Sequence, residues 1–264
     1  MKRVLLIDAD ILVYQVASAA EKPIDWGDDL WTLHSDMNEA LPKLVDMIEG
    51  IRVRMGGDAI IFALTSMEKN FRKDIYPKYK ENRKATRKPL VWKPLREYLT
   101  ANYTVFEKPH LEGDDCLGIL ATSKYAFTKE HGDDVEKVLV SIDKDFKTIP
   151  CHYWHLTEGE SHISESQANY WFMFQTLIGD TTDGYPGCPG MGPKSAEKLL
   201  SGYYQQLPEG FDLKGAWGAV VKAYKDKGLG EAVALQQARC ARILRASDYD
   251  FKNKKPILWE PPST

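Results

Sequence analysis

Short apolar runs, two of them ending at an acid, constrain this chain most. Arg3–Asp8 reads RVLLID, Asp58–Thr65 reads DAIIFALT and Glu136–Asp143 reads EKVLVSID. A continuous apolar run of this length fits a strand covered on both faces, as in a parallel sheet. YTVFE at Tyr103–Glu107 reads as a further strand. Helices read between them: Ile11–Ala20, Ser35–Met55 with Leu41, Leu44, Val45, Ile48 and Ile51 at helical spacing, and Leu111–Ala126. Strands alternating with helices imply an α/β fold with a mostly parallel central sheet flanked by helices. Beyond about Ser164 the strand signals stop. Ser164–Gly179, Lys194–Ser201, Leu213–Asp226 and Gly230–Ala246 read as helices. The expected organisation is an α/β domain over 1–165, a helical lobe over 166–250 and an irregular, proline-bearing tail over 251–264.

The chain is 43% hydrophobic and 28% charged, enough to bury a core and too apolar for disorder. The net charge of -3 points to no partner. Its distribution is more informative, because Thr65–Lys93 is strongly basic while acids cluster elsewhere. The four cysteines are far apart, with no CxxC pair, which argues against a zinc site or a disulfide framework. Asp8 and Asp10 interrupt the first apolar run, against a signal peptide, and no run reaches membrane-spanning length.

The acids fall where such a sheet binds ligands. Asp8 closes the first strand, and Asp143 closes the strand Glu136–Asp143, with Asp145 two residues on. The carboxyl ends of parallel strands face one crevice. Glu112, Asp114 and Asp115 open a helix at the same edge, and Asp180 and Asp183 begin the helical lobe. Each group has a simpler reading when taken alone. Acids in a first helical turn complement the macrodipole. Asp10 reads as a helix cap, and Asp180 and Asp183 can brace a glycine-rich turn. Together, eight carboxylates on one edge would repel strongly without counter-charge. Hard divalent cations with oxygen ligands, Mg²⁺ above all, resolve that repulsion. Two such ions can clamp the attacking and leaving oxygens of a phosphodiester.

The insertion at about 66–95 carries FRKDIYPKYKENRKATRK, Phe71–Lys88. Arg72 and Lys78 suit phosphates, and Tyr79 suits stacking on a base. Lys80 and Arg83 are three residues apart, on one side if helical. GCPGMGPKSA follows the last acid pair. Gly190 and Gly192 permit close backbone approach, and Pro193 suits a first helical position. Lys194 and Ser195 then sit where a helix start can hold a phosphate.

LLIDAD, FRKDIYPKYKENR, LEGDDCLG with VSIDKDF, and GDTTDGYPGCPGMGPKSA occur here in one order. In these motifs the chain resembles the structure-specific 5′ nucleases, the flap endonucleases and 5′→3′ exonucleases, over about Lys2–Leu200. The length resembles the stand-alone phage or bacterial branch. The resemblance implies a PIN-like fold with a helical arch and a C-terminal helix-hairpin-helix. It implies one metal group at Asp8, Glu112, Asp114 and Asp115, and a second at Asp143, Asp145, Asp180 and Asp183. Lys80 and Arg83 match the arch's catalytic basic pair, with Arg72 as a supporting phosphate contact. Gly190, Gly192, Lys194 and Ser195 match the hairpin that holds duplex backbone, with a potassium ion. One departure stands out: the family's aspartate after the second strand is replaced by Ala63, Leu64 and Thr65, with Glu68 as an acid that could compensate.

The implied activity is magnesium-dependent hydrolysis, with manganese able to substitute, near 5′ ends or flaps of DNA or on RNA primers in RNA:DNA hybrids. The implied setting is a cytoplasmic monomer with no membrane partner. A PIN-type ribonuclease and a non-catalytic DNA-junction binder are the alternatives.

Overall fold

The computed structural model describes residues 2–124, 126, 135–204 and 210–262. Strand β1 (Lys2–Asp8) is the centre of the sheet because its apolar run serves two layers at once. Leu5 and Ile7 point into one core and Val4 and Leu6 into the other, all four buried. Side chains of this size contribute about 1.5–3 kcal/mol each when removed from water.

A hairpin of β2 (Lys22–Asp25) and β3 (Trp31–His34) stands apart from the main sheet. The other main-sheet strands are β4 (Ala59–Ala63), β5 (Val105–Phe106), β6 (Val135–Ser141), β7 (Cys151–His155) and β8 (Gly159–Ile163). Their order is β5-β4-β1-β6-β7-β8, parallel except for β7–β8. The expected mostly parallel α/β sheet is therefore observed.

Helices α1 (Ala9–Ala19) and α2 (Met37–Met55) cover the Leu5 face, together with a later helix, Trp92–Asn102. The basic segment between them is helical only over α3 (Arg72–Ile75) and in a 3-10 turn, Glu81–Ala85. Tyr76 is extended, as the residue before Pro77 tends to be, and this stops α3. The helix at Trp92–Asn102 is α4; α5 (Gly113–Thr122) covers the Leu6 face. Helices α6 (Glu165–Ile178), α7 (Pro193–Leu200), α8 (Leu213–Lys225) and α9 (Glu231–Ala241) surround a separate core that includes Phe172, Trp217 and Tyr224. Among the described residues, no helix is long and apolar enough to cross a membrane.

Several elements differ from the sequence reading. β7 and β8, CHYWH and GESHI, lie at the sheet's margin, so a polar composition hid them. The strand read at Tyr103–Glu107 pairs only over Val105–Phe106. The helix read over Leu111–Ala126 ends at Thr122; Tyr125 is outside the described residues. The tail is anchored in part: Lys255–Pro256 pairs with Tyr249–Asp250, and Trp259 packs edge-on against Phe172 and Trp217 at 5.0 and 5.1 Å.

Candidate active site

In an open α/β sheet the ligand crevice lies outside the carboxyl ends of the strands, where strand order reverses. The chain lays β4 and β5 on one side of β1, then β6 and β7 on the other, so the reversal lies between β1 and β6. Asp8 ends β1 and Ser141 ends β6. The Ser141 hydroxyl donates to Asp8 Oδ2 at 2.9 Å, and its oxygen accepts from the Asp143 amide at 3.1 Å. Asp8 also caps α1, accepting from Ile11 N–H at 3.3 Å. The cap expected at Asp10 is thus corrected: Asp8 takes that role. Asp10 reaches across to accept from Thr65 N–H at 2.8 Å and from Arg96 Nη1 at 3.2 Å.

Helix α5 separates its acids. Consecutive helical residues point about 100° apart. Asp114 faces the crevice, with no hydrogen bond or ion pair among the described residues. Asp115 is fully buried on the other side. It receives both terminal nitrogens of Arg72 at 2.7 Å, and amides of Glu112 and Leu244 at 3.2 and 3.1 Å. The structure therefore does not bring Asp115 to the acid group. Nor does it leave Arg72 free for a phosphate, since the guanidinium is buried and also donates to the carbonyls of Cys240 and Arg242. Tyr79, expected to stack on a base, is buried as well, its hydroxyl 2.9 Å from Glu112 Oε2 and 2.8 Å from Asp183 Oδ2.

The second acid pair is placed by glycines. Gly179 (φ +70°) and Gly187 (φ +67°) back onto each other so closely that a Cβ on either would lie 2.4 Å from the other strand of the loop. Only glycine fits such an approach with that backbone. Asp180 and Tyr185 exchange backbone hydrogen bonds at 2.8 and 3.1 Å, and Asp180 Oδ1 accepts from the amides of Thr182 and Asp183. The loop-bracing role read for Asp180 is present, and the same loop aims Asp183 at the basic segment. Lys80 N–H donates to the Asp183 carbonyl at 2.7 Å, and Arg83 Nη2 donates to its carboxylate at 2.8 Å. Lys80 has a left-handed backbone (φ 51°), so a turn, not helical spacing, sets these two cations side by side.

A crevice of about 500 Å³ is lined by Asp8, Asp10, Glu112, Asp114 and Asp143, facing Lys80, Arg83 and Arg96. A second hollow of about 490 Å³ adjoins it and holds Asp145, Asp180 and Asp183. Asp114, Asp143, Lys80 and Arg83 line both, so the acids form one continuous row. Burial and the neighbouring Asp10 push Asp8 up to about 7. Burial together with Asp8 and Asp143 drives Asp114 well above the usual carboxylate range. Asp143 is raised by burial and Asp145, and Asp183 by burial despite the nearby Lys80. Glu112 runs the other way: burial opposes its ionisation, but Lys80 at 2.5 Å and Arg72 outweigh it and hold it at about 2.

The model of the 5′-3′ exonuclease N-terminal resolvase-like domain matches residues 3–169. The exodeoxyribonuclease of Enterobacteria phage T3 is 33% identical over 291 aligned positions, covering 99% of this chain and 94% of that protein. The chain belongs to the 5′-3′ exonuclease family. The exonuclease of Escherichia phage T7 is also 33% identical, over 98% of this chain and 94% of its own length. The fold agrees with that of a bacteriophage T5 D15 flap endonuclease variant, solved as a pseudo-enzyme–product complex with DNA and metal ions. Its TM-score is 0.61 over 90% of this chain and 88% of that one, at 16% identity.

After β4 the crevice carries no acid over Ala63–Thr65. Ala63 and Leu64 are buried, and the Thr65 hydroxyl oxygen accepts from Gly113 N–H at 2.9 Å. Glu68 does not compensate; it turns outward to His110 Nε2 at 3.1 Å. Asp10, bonded to the Thr65 amide, is the acid beside that position. Sequence reasoning passed over it because a carboxylate two residues past a strand is so often a cap.

The hairpin residues Gly190, Gly192, Lys194 and Ser195 are exposed at the start of α7, and Lys78 is exposed in the basic segment. Gly192 caps α7 and Pro193 is its first residue. The Ser195 and Ala196 amides turn back to the Gly192 carbonyl, both at 3.0 Å. Lys227 also approaches, with Nζ 3.6 Å from where a Gly190 Cβ would stand.

Proposed function

We propose that this chain is a divalent-metal-dependent 5′ nuclease that hydrolyses phosphodiester bonds near the 5′ ends or flaps of DNA. One observation carries the reading: Asp8, Asp114 and Asp143 share a crevice without an ion pair among the described residues. Such a cluster is unfavourable by itself and fits a site for hard cations, because every donor is a carboxylate oxygen. Magnesium suits it best, with manganese able to replace it. Asp8, Asp10, Glu112 and Asp114 would face one cation, Asp145, Asp180 and Asp183 another, with Asp143 between them. Bound divalent ions supply Lewis acidity toward phosphate oxygens and lower the pKa of water.

The chain's own residues do the rest. Arg83, half-exposed and paired with Asp183, stands where it can exchange that carboxylate for a phosphate, while Lys80 is held beside the acid row by Glu112. Asp10 takes the part of the aspartate absent after β4, held in orientation by Arg96. Asp115 and Arg72 position α5 from below. The exposed Lys194, Ser195 and Lys227 around Gly190 and Gly192 contact duplex backbone from the helical part over 166–250, which also supplies Asp180 and Asp183, while the α/β part over 1–165 holds the other acids. A potassium ion at that turn, RNA:DNA hybrids as substrates, a monomeric state and action in the cytoplasm of a bacterial or phage-infected cell belong to the same proposal.

The test is to incubate 5′- and 3′-labelled duplex, flap, hybrid and single-stranded RNA with the protein, with and without magnesium. We expect magnesium-dependent products released from the 5′ side of DNA. Cleavage of RNA alone, or tight DNA binding in magnesium without any product, would overturn the reading.

A further inference from the structure

We propose that His152, Glu160 and His162 form a transition-metal site on the β7–β8 hairpin, separate from the acid crevice. The two strands are antiparallel, with His152 directly opposite His162 and Trp154 opposite Glu160. Directly opposed residues, and those two apart, share one face of a sheet. Three donors therefore leave the same face of one hairpin. One ligand atom from each lies within 4.8 Å of the others. A four-coordinate ion with bonds of about 2.0–2.2 Å places its donors roughly 3.4 Å apart. Glu160 and His162 are exposed, so small rotations of their side chains can open the His152–Glu160 contact and bring all three donors to that spacing.

His152 is the anchor. It is only 9% exposed, and both of its ring nitrogens meet carboxylates. Its Nε2 faces the Glu160 carboxylate, and its Nδ1 lies 3.0 Å from Glu136 Oε1. Glu136 is in turn gripped by Arg3 through two contacts of 2.7 and 3.1 Å. A carboxylate behind one ring nitrogen, with the other nitrogen facing a second ligand, is the pattern by which metal-binding histidines are oriented. The rings of His152 and His162 stack at 4.1 Å, which fixes how they project.

Two imidazoles and one carboxylate favour zinc or a similar first-row ion over magnesium. The site is not part of the acid row. Val138, the partner of His152 in the ladder, precedes Asp143 by roughly 16 Å of strand. β8 is the last strand of the sheet, and its other side has no strand neighbour. An ion here would fasten that edge to β7, adding to the ladder and to the packing of Ile163 against the core.

Zinc alone is the probe. Equilibrium binding to the full chain in excess magnesium, which occupies the acid crevice, is measured for wild type, His162→Ala, Glu160→Gln and Glu136→Gln. We expect wild type to hold one zinc equivalent more than His162→Ala, and zinc to raise the Tm of wild type only. Glu136→Gln should weaken that equivalent about 10- to 100-fold. Magnesium-dependent cleavage should be unchanged in His162→Ala, whose side chain is exposed and whose loss leaves folding intact. Equal zinc uptake by wild type and His162→Ala would overturn the site. So would a wild type with no zinc equivalent surviving magnesium, which would leave the three side chains as an ion-pair cluster only.

Discussion

Asp114 and Asp115 are neighbours on one helix, yet they enter opposite regions of the molecule. Above the helix lies a row of acids, of which Asp8, Asp114 and Asp143 have no ion pair among the described residues. Below it lies a closed knot in which Arg72 meets Asp115 through paired 2.7 Å contacts, with both residues buried. The lower region is satisfied and therefore architectural: every oxygen of Asp115 is used. In the upper region three carboxylates have no ion pair among the described residues, and a cation fits there. Carboxylate count alone does not separate the two. The presence of a partner does.

The widest test of this contrast is to remove acids from the upper region. Asp143→Ala combined with Asp145→Ala should lower cleavage ~1000-fold or more, since ion-assisted chemistry is worth several kcal/mol. DNA binding should persist, and the Tm of the metal-free protein should not fall, because repulsion is being relieved. Cleavage at the wild-type rate would remove both acids from the mechanism.

The lower region should answer in stability. Arg72→Ala leaves Asp115 buried and unpaired, at a cost of about 3–5 kcal/mol. Chemical denaturation would measure it, and a loss under about 1 kcal/mol would show that the knot contributes little. Gly187→Ala should follow, at roughly 1–3 kcal/mol for backbone strain alone. Its distinguishing mark would be weaker metal binding through the displaced Asp180–Asp183 loop, which Arg72→Ala need not show.

The contrast also shows in pH. Asp8 sits near 7 in the folded chain against an ordinary 3.8, so the folded state keeps a proton that the unfolded state loses. Metal-free stability should therefore fall as pH rises from about 4 to about 7, by at most about 1.4 kcal/mol per pH unit for that proton. Asp114 and Asp143 act in the same direction. Glu112, held at about 2, opposes them only at lower pH, where its stabilisation is lost as pH falls below its ordinary 4.5. Added magnesium should raise Tm more at pH 8 than at pH 5. A metal-free stability that climbs steadily from pH 4 to 7 would contradict the assignment.

Much of this was legible in the residues. RVLLID and EKVLVSID are apolar throughout because their strands are covered on both faces, so sheet and crevice followed. CHYWH and GESHI were not legible, because marginal strands need few apolar residues. The acid row was legible as a set, but not its membership. Asp115 and Asp114 are the same residue type one position apart, and only packing against Arg72 and Leu244 tells them apart. Arg72 and Tyr79 looked like ligand contacts for the same reason: charge and aromaticity in a sequence do not reveal burial. Asp10 was hidden by its likeness to a cap. Lys80 and Arg83 do line one crevice, though through a left-handed turn that helical spacing does not describe.

The most direct measurement is anomalous diffraction from crystals soaked in manganese. We expect peaks between Asp8, Asp114 and Asp143, extending toward Asp145 and Asp183, and none at Asp115. A crevice without a peak, with these carboxylates instead satisfied by lysine or arginine side chains, would contradict the account.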